Sequence, residues 1–452
     1  MMGDAGRLGR WAVVLGVLAA LAGSALAAPV PVKPRAVLVL PFDATALERD
    51  EQWMGQGIAE VIGLGFDQHP AFVQIDDARL RSVGRPEVWG EAAVVQAART
   101  LRVEAAVFGR VSRTGEGLVI QPRLLEVKGT ATEPISLEPV SVPAGELLTR
   151  LAPLPVVYAR TLKVSLSEAE SRRMEKAAQP TRSLKAFELF SQAAVAAAQR
   201  PGQEGNERAV ELLARAIEVD PSFAVANYTQ GTIHQALGNR WKANAQFRAA
   251  HQLDPNYPEP FKALGDLYLA GPRRLFDQAA EAYGKAIELR PFYADAHVGM
   301  GDAKAAKGDV DGAIAAYTKA LAFNPINPRV HMALGKIYYA EKGLYYESVN
   351  AYKKAIELDS ASVDARLGLG EVYEDKGLYR EAIEEYQRVI DLDGKHTGAM
   401  YNLALVYEKV DPKESIALWE RYIALASQLP SEKDWVDVAR QHLRKLKNQV
   451  KD

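Results

Sequence analysis

From Asp220 to Gln428, small, apolar and polar positions return in the same order every 34 to 36 residues. Gly231, Gly265, Gly301, Gly335 and Gly370 mark the period, with Ala404 in the next place. Pro221, Pro255, Pro291 and Pro325 mark it again, continued by Ser360 and Gly394. With the glycine counted as position 8, positions 4, 7, 8 and 11 share one helical face. That face reads Phe261, Leu264, Gly265 and Tyr268 in one repeat and Met400, Leu403, Ala404 and Tyr407 in another. A second stripe pairs alanines (Ala243 and Ala250, Ala279 and Ala286, Ala313 and Ala320) with Phe247, Tyr283, Tyr317, Tyr352, Tyr386 and Trp419. The pattern predicts two helices per repeat, crossing at the glycine, where a Cβ would hold the backbones apart. The proline stops each pair, because it cannot continue a helix. No pair buries its apolar face alone, so neighbours must stack.

Seven such units are expected, roughly 183–221, 224–255, 258–291, 294–325, 328–360, 363–394 and 397–428. The first is irregular, with Arg200 to Gly205 lengthening its turn; Pro272 to Arg274 and Lys342-Gly343 lengthen two others. After Pro430, a helix over 431–448 with Trp435, Val438, His442 and Leu446 as its apolar stripe is expected to cap the open end. These marks resemble the tetratricopeptide repeat family over about half the chain. The resemblance implies an all-α right-handed superhelix of helix pairs, whose positions 2, 5, 9 and 12 line a concave groove for a protein or peptide. Here those positions supply Tyr228 and Thr232, then Glu259, Lys262 and Asp266, then Asp295 and Asp302. Arg329, Met332, Lys336 and Tyr339 follow, then Asp364, Glu371 and Glu374, then Tyr401. Acids outnumber bases, which favours a partner segment of basic character. The Lys and Asn clamp that some members use for a C-terminal carboxylate is not reproduced, since Lys262 is followed by Asp266 and Asn402 has no basic neighbour at position 5.

Ahead of the repeats the periodicity changes. Ala36 to Leu40 and Ala105 to Val111 are continuous apolar runs, the pattern of strands buried on both faces. Met54, Ile58, Val61 and Ile62 fall on one helical face, Phe72 to Ile75 is a short strand, and Ala92 to Leu101 is a second helix. Leu118, Ile120 and Leu124 alternate with polar residues after the Gly115–Gly117 turn, predicting a hairpin with the preceding strand. Ile135 to Val142 is expected as one edge strand and Pro143 to Lys163 as one closing helix. This α/β unit, 35–165, resembles the N-terminal domain of TolB, the propeller protein of the Tol system. Val39-Leu40-Pro41-Phe42, Gly57-Ile58-Ala59-Glu60, Ala105 to Val111 and the run Leu118 to Val127 carry the resemblance. It implies a non-catalytic interaction domain in the cell envelope. Polar residues 166–182 are expected to form a helical connector to the repeats.

Composition adds limits. At 452 residues the chain exceeds one ordinary core. Its 55 Lys plus Arg nearly balance 57 Asp plus Glu, so a net charge of −2 carries no footprint for nucleic acid. Arg7 and Arg10, the short apolar run Trp11 to Leu21 and Ala25-Leu26-Ala27 are the three parts of an export signal, residues 1–27. A periplasmic chain beginning at Ala28, with no transmembrane span, is expected; the alternative is an uncleaved N-terminal anchor. There is no Cys.

No catalytic, cofactor or metal motif emerges. His297 and His331 fall at position 4, where Phe261 stands, and are expected as core substitutes. Gly299-Met300-Gly301 and Gly368-Leu369-Gly370 mimic a nucleotide fingerprint but lie inside helices. Asp76-Asp77 reads as a solvated turn. Two function classes remain: a non-catalytic periplasmic interaction scaffold, or an accessory or binding subunit of an envelope enzyme or cell-wall assembly system.

Overall fold

The computed structural model describes residues 33–449, apart from 76, 85, 87, 116, 130, 144 and 272–274. The expected export signal, Asp76 and the Pro272–Arg274 insertion therefore lie outside the described residues.

A six-stranded mixed sheet opens the chain. Strand β1 (Arg35–Val39) lies parallel to β2 (Phe72–Gln74) on one side and to β3 (Ala105–Thr114) on the other. β3 forms the expected hairpin with β4 (Gly117–Lys128). The apolar runs arise because the sheet is covered on both faces. Val37, Ala105 and Val107 point into one core, while Ala36, Leu38 and Ala106 point into another. Helix α1 (Trp53–Phe66) covers the first face. The short α2 (Asp77–Ser82) follows β2, and α3 (Glu91–Thr100) covers the second face.

Two expectations are corrected here. The edge is two strands rather than one: β5 (Ala131–Ser136) pairs with Arg123 to Lys128 of β4, and β6 (Val140–Val142) pairs with Leu118 to Ile120. One long strand thus carries two short partners end to end, separated at Leu137–Pro139. The single closing helix is likewise two, α4 (Leu147–Leu151) and α5 (Leu154–Thr161), parted at Ala152 and Pro153. Proline lacks the N–H that would continue the ladder.

The polar segment after α5 forms α6 (Glu168–Ala177), started by a complete capping box between Ser167 and Glu170. It is part of the core. Met174 and Ala178 are fully buried, and Gly65 of α1 sits against Pro155 and the Met174 carbonyl. The α/β unit then packs directly on the first helix of the array, α7 (Leu184–Gln199). A Cβ at Gly57 would come 2.8 Å from Ser191 Oγ and 3.0 Å from the Phe187 ring. Trp53 meets Phe187 edge to face at 6.0 Å. One apolar core runs without a break from Val37 to Phe223 and Ala226.

Seven helix pairs follow: α7 with α8 (Gln203–Val219), α9 (Ala224–Ala236) with α10 (Arg240–Leu253), and α11 (Glu259–Leu269) with α12 (Phe276–Leu289). Next are α13 (Ala294–Ala306) with α14 (Val310–Phe323), and α15 (Pro328–Ala340) with α16 (Tyr345–Leu358). The last are α17 (Val363–Asp375) with α18 (Tyr379–Leu392), and α19 (Thr397–Val410) with α20 (Pro412–Ala426). The repeating glycines are needed for a reason other than the one expected. An aromatic ring from the second helix, rather than its backbone, lies over each. A Cβ would stand 2.5 Å from Phe247 at Gly231, 2.6 Å from Tyr283 at Gly265 and 2.5 Å from Tyr386 at Gly370. Tyr283 is gripped twice, by Gly265 of its own repeat and Gly299 of the next; Tyr352 is gripped likewise by Gly335 and Gly368. The glycine pairs that mimic a nucleotide fingerprint are therefore ring seats.

The capping helix α21 (Lys433–Gln449) forms, and Leu446 is in its buried stripe as expected, but the first two places fall one residue later. Val436, Ala439 and Leu446 are buried, with Leu443 beside them, whereas Trp435 is 54% exposed. The 3.6-residue period groups those four positions, and Trp435 falls on their flank.

Candidate functional site

The inner face begins with a sequence rule visible only in three dimensions. In four repeats the second-helix ring carries a donor matched by an inner-face carboxylate of the same repeat, and Tyr352 is the exception. Tyr283 donates to Asp266 at 2.8 Å, Tyr317 to Asp302 at 2.6 Å, Tyr386 to Glu374 at 2.8 Å, and the Trp419 indole to Glu408 at 2.9 Å. Where the ring is Phe247 and has nothing to donate, position 9 is Thr232, whose hydroxyl turns back to the Thr229 carbonyl. Much of the acidic row is thus employed in packing. Lys262 pairs with Asp266 at 2.7 Å and Arg329 pairs with Asp302, so neither base is idle.

The N-terminal ends of the inner helices meet the α/β unit. A cavity of about 430 Å³ lies between Asp67, Phe72 and Gln74 on one side and α9, α11 and α13 on the other. Tyr228, Glu259 and Asp295, expected in an open groove, line it. Tyr228 stacks edge to face with Tyr257 at 5.4 Å. Arg290 donates to Glu259 Oε1 at 2.7 Å, and both side chains are largely buried, 7% and 13% exposed. Asp67 accepts from Gln74 at 2.6 Å. Burial pushes the Asp67 carboxyl up to about 6, with Arg290 opposing and Glu259 adding to the rise. Farther along, Arg79 donates to the Ile326 carbonyl at 3.4 Å, Ile326 packs on the second sheet core, and Arg102 pairs with Glu357 at 3.0 Å. The sheet unit therefore runs along the inter-repeat turns as far as α16.

Among the described residues, the inner face of the last three repeats has no such cover from the sheet unit. Lys336 and Asp364 are exposed. Tyr339 donates to Asp375 at 2.7 Å, and Met332 is half-buried beside the C-terminal core. Burial, then Glu374 and Asp375, hold the Glu371 carboxyl above its ordinary range; burial and Asp375 do the same to Glu374. Tyr401 is boxed by Trp419, Tyr422 and Trp435 at 5.1, 5.5 and 5.4 Å.

His297 is buried as expected, with Nε2 against the Pro291 carbonyl at 2.8 Å, whereas His331 is only half-buried, with Nε2 against the Pro325 carbonyl at 3.3 Å. Among the described residues, no three His, Cys, Asp or Glu are gathered to hold a metal. No helix among them is long and apolar enough to cross a membrane.

Arg290, Asn324, Tyr257 and Tyr293 line the cavity and were missed. A signal existed. Repeats end on Asp220, Asp254, Asp359 and Asp393, whose carboxylates accept the backbone N–H two residues on, at 3.0 to 3.1 Å. Arg290 and Asn324 break that row, and both face the sheet unit.

Residues 301–341 and 339–377 match a family described as TPR repeat, and 363–396 match one described as tetratricopeptide repeat. The chain carries tetratricopeptide repeats, a scaffold of the protein-interaction type, behind a small mixed-sheet domain. Among solved structures it is similar to MamA, with 26% identity over 36% of this chain and 95% of that one, at a TM-score of 0.33. It is also similar to YrrB, described as a TPR protein with an unusual peptide-binding site. That match has 19% identity over 42% and 97% of the two chains, at a TM-score of 0.35. A third is pilF of Pseudomonas aeruginosa, with 16% identity over 51% and 98%, at a TM-score of 0.43.

Proposed function

We propose that this protein is a non-catalytic, exported scaffold of the cell envelope that holds a basic protein or peptide segment on the inner face of its last three repeats. The observation that carries this reading is the gathering of Glu371, Glu374 and Asp375 beside half-buried Tyr339. Burial and mutual repulsion hold two of these carboxyls up, and Lys336 is the one base whose field opposes them at Glu371. A cationic segment relieves that repulsion, and Tyr339 and Tyr401 offer ring faces to its side chains. The resemblance of residues 35–165 to an envelope domain, and the three-part N-terminal signal, support export to the periplasm.

The test uses the full chain. Fluorescence anisotropy with a Lys- and Arg-rich peptide, against an acidic control, should show saturable binding to the wild type. Binding should weaken about tenfold in Glu371→Gln with Asp375→Asn, as expected for loss of charge complementarity. Equal affinity in that double variant, with an unchanged melting temperature, rejects the assignment. Asp302 is unsuitable for such a test, because its partner Tyr317 is buried, whereas Tyr339, the partner of Asp375, is only half-buried.

A further inference from the structure

The cavity between the sheet unit and the repeats is independent of the peptide face, and its chemistry is specific. We propose that it binds a protonated primary amine, an alkylammonium of the size of a diamine or a lysine side chain. Its volume, about 430 Å³, lies in the range of about 300–1,000 Å³ usual for small-ligand sites. Three phenol rings, Tyr228, Tyr257 and Tyr293, line it together with Asp67, Asp295 and Glu259. The single guanidinium, Arg290, is engaged by Glu259 Oε1, which leaves the wall negative.

Two further facts set the polarity of the ligand. Glu259 Oε2 and Asn324 Oδ1 are buried without a hydrogen-bond partner. Both are acceptors, so the missing complement is a donor. An ammonium carries three N–H groups and no acceptor. All three phenols are pushed up, first by burial and then by neighbours that include Glu259. Aromatic faces beside carboxylates attract a cation by quadrupole and charge together. Leu64 and Phe190 supply an apolar wall for a methylene chain. Asp295 is exposed and stands where the cavity meets solvent.

The experiment is isothermal titration of the full chain at pH 7.5 with cadaverine, with an N- and C-blocked lysine, and with pentan-1-ol as the uncharged control. Saturable one-to-one binding of either amine, with none for the alcohol, supports the site. Binding of cadaverine alone identifies a free diamine as the source, and binding of the blocked lysine identifies a partner's side chain. Asp295→Asn, an exposed position, should leave the melting temperature unchanged and weaken amine binding about tenfold. Affinity should also fall below pH about 6, as Asp67 takes up a proton. No saturable binding of either amine, equal binding of pentan-1-ol, or undiminished binding in Asp295→Asn overturns the proposal. Peptide binding at Glu371 is unaffected by either result.

Discussion

The first four repeats and the last three place the same inner-helix positions in different surroundings. In the first four, Tyr228, Glu259 and Asp295 abut the chain's own sheet unit and share a cavity with Asp67. In the last three, the equivalent Tyr401, Arg329 and Asp364 line no cavity with the sheet unit among the described residues. The period that builds the stack is identical in both halves, so periodicity reports how helices pack on each other and is silent about what covers them. The turn residue changes only at the third and fourth repeats, since Asp220 and Asp254 end the first two as Asp359 and Asp393 end the fifth and sixth. Asp ends the repeat where the turn satisfies itself, and Arg290 or Asn324 ends it where a second domain approaches.

The sharpest break of this comparison is Arg290→Ala. It strands Glu259 in a buried setting, and removing one partner of such a pair costs about 3–5 kcal/mol. Lys354→Ala, in the exposed pair with Glu357, should cost under about 1 kcal/mol. Urea unfolding of the two variants decides it, and similar losses would mean that the two halves are equally solvated. Next comes Gly265→Ala, whose Cβ would meet Tyr283 at 2.6 Å. Overpacking of this kind costs about 1–3 kcal/mol. Gly335→Ala, where Tyr352 stands 3.0 Å away, should cost less by the same assay.

Asp67→Asn should act in the opposite direction. The raised carboxyl favours the neutral form on folding, so its contribution is fully present below pH 3.8 and is lost as pH rises through about 6. The neutral isostere should therefore gain roughly 1–2 kcal/mol at pH 7.5, after discounting for its opening to the cavity. The gain should vanish near pH 4, as read by melting temperature against pH. Smallest is Tyr283→Phe, which loses one hydrogen bond to a carboxylate and should cost about 1 kcal/mol. Tyr352→Phe, which has no carboxylate partner in its own repeat, should be near neutral by the same melt.

How far the sequence revealed this depended on whether each residue's neighbours were local. The glycine and alanine rows were readable because their partners lie within the same repeat. Ala36 to Leu40 was readable because both faces of the strand are buried. The split of the edge into β5 and β6 was not, since Leu137-Glu138-Pro139 is a short break inside an alternating stretch. Nor was the joint between domains. Gly57 and Gly65 of α1 are the residues that let the repeats and Pro155 approach, but isolated glycines in an apolar helix do not name what approaches them. Trp435 drew the start of the capping stripe off by one because hydrophobicity outweighed phase. The acidic inner row was seen as a surface for a partner, whereas Asp266, Asp302, Glu374 and Glu408 each hold a ring donor from the helix behind.

The sheet unit lies along the turns of the early repeats as far as α16. With no native Cys, two spin labels can be placed cleanly, at Arg102→Cys and Glu357→Cys, whose side chains pair at 3.0 Å in the wild type. Electron–electron distance measurement on the full chain should give a single short, narrow distribution, unchanged on adding the basic peptide. A long or broad distribution would mean that the sheet unit does not lie against the array, and would contradict the account.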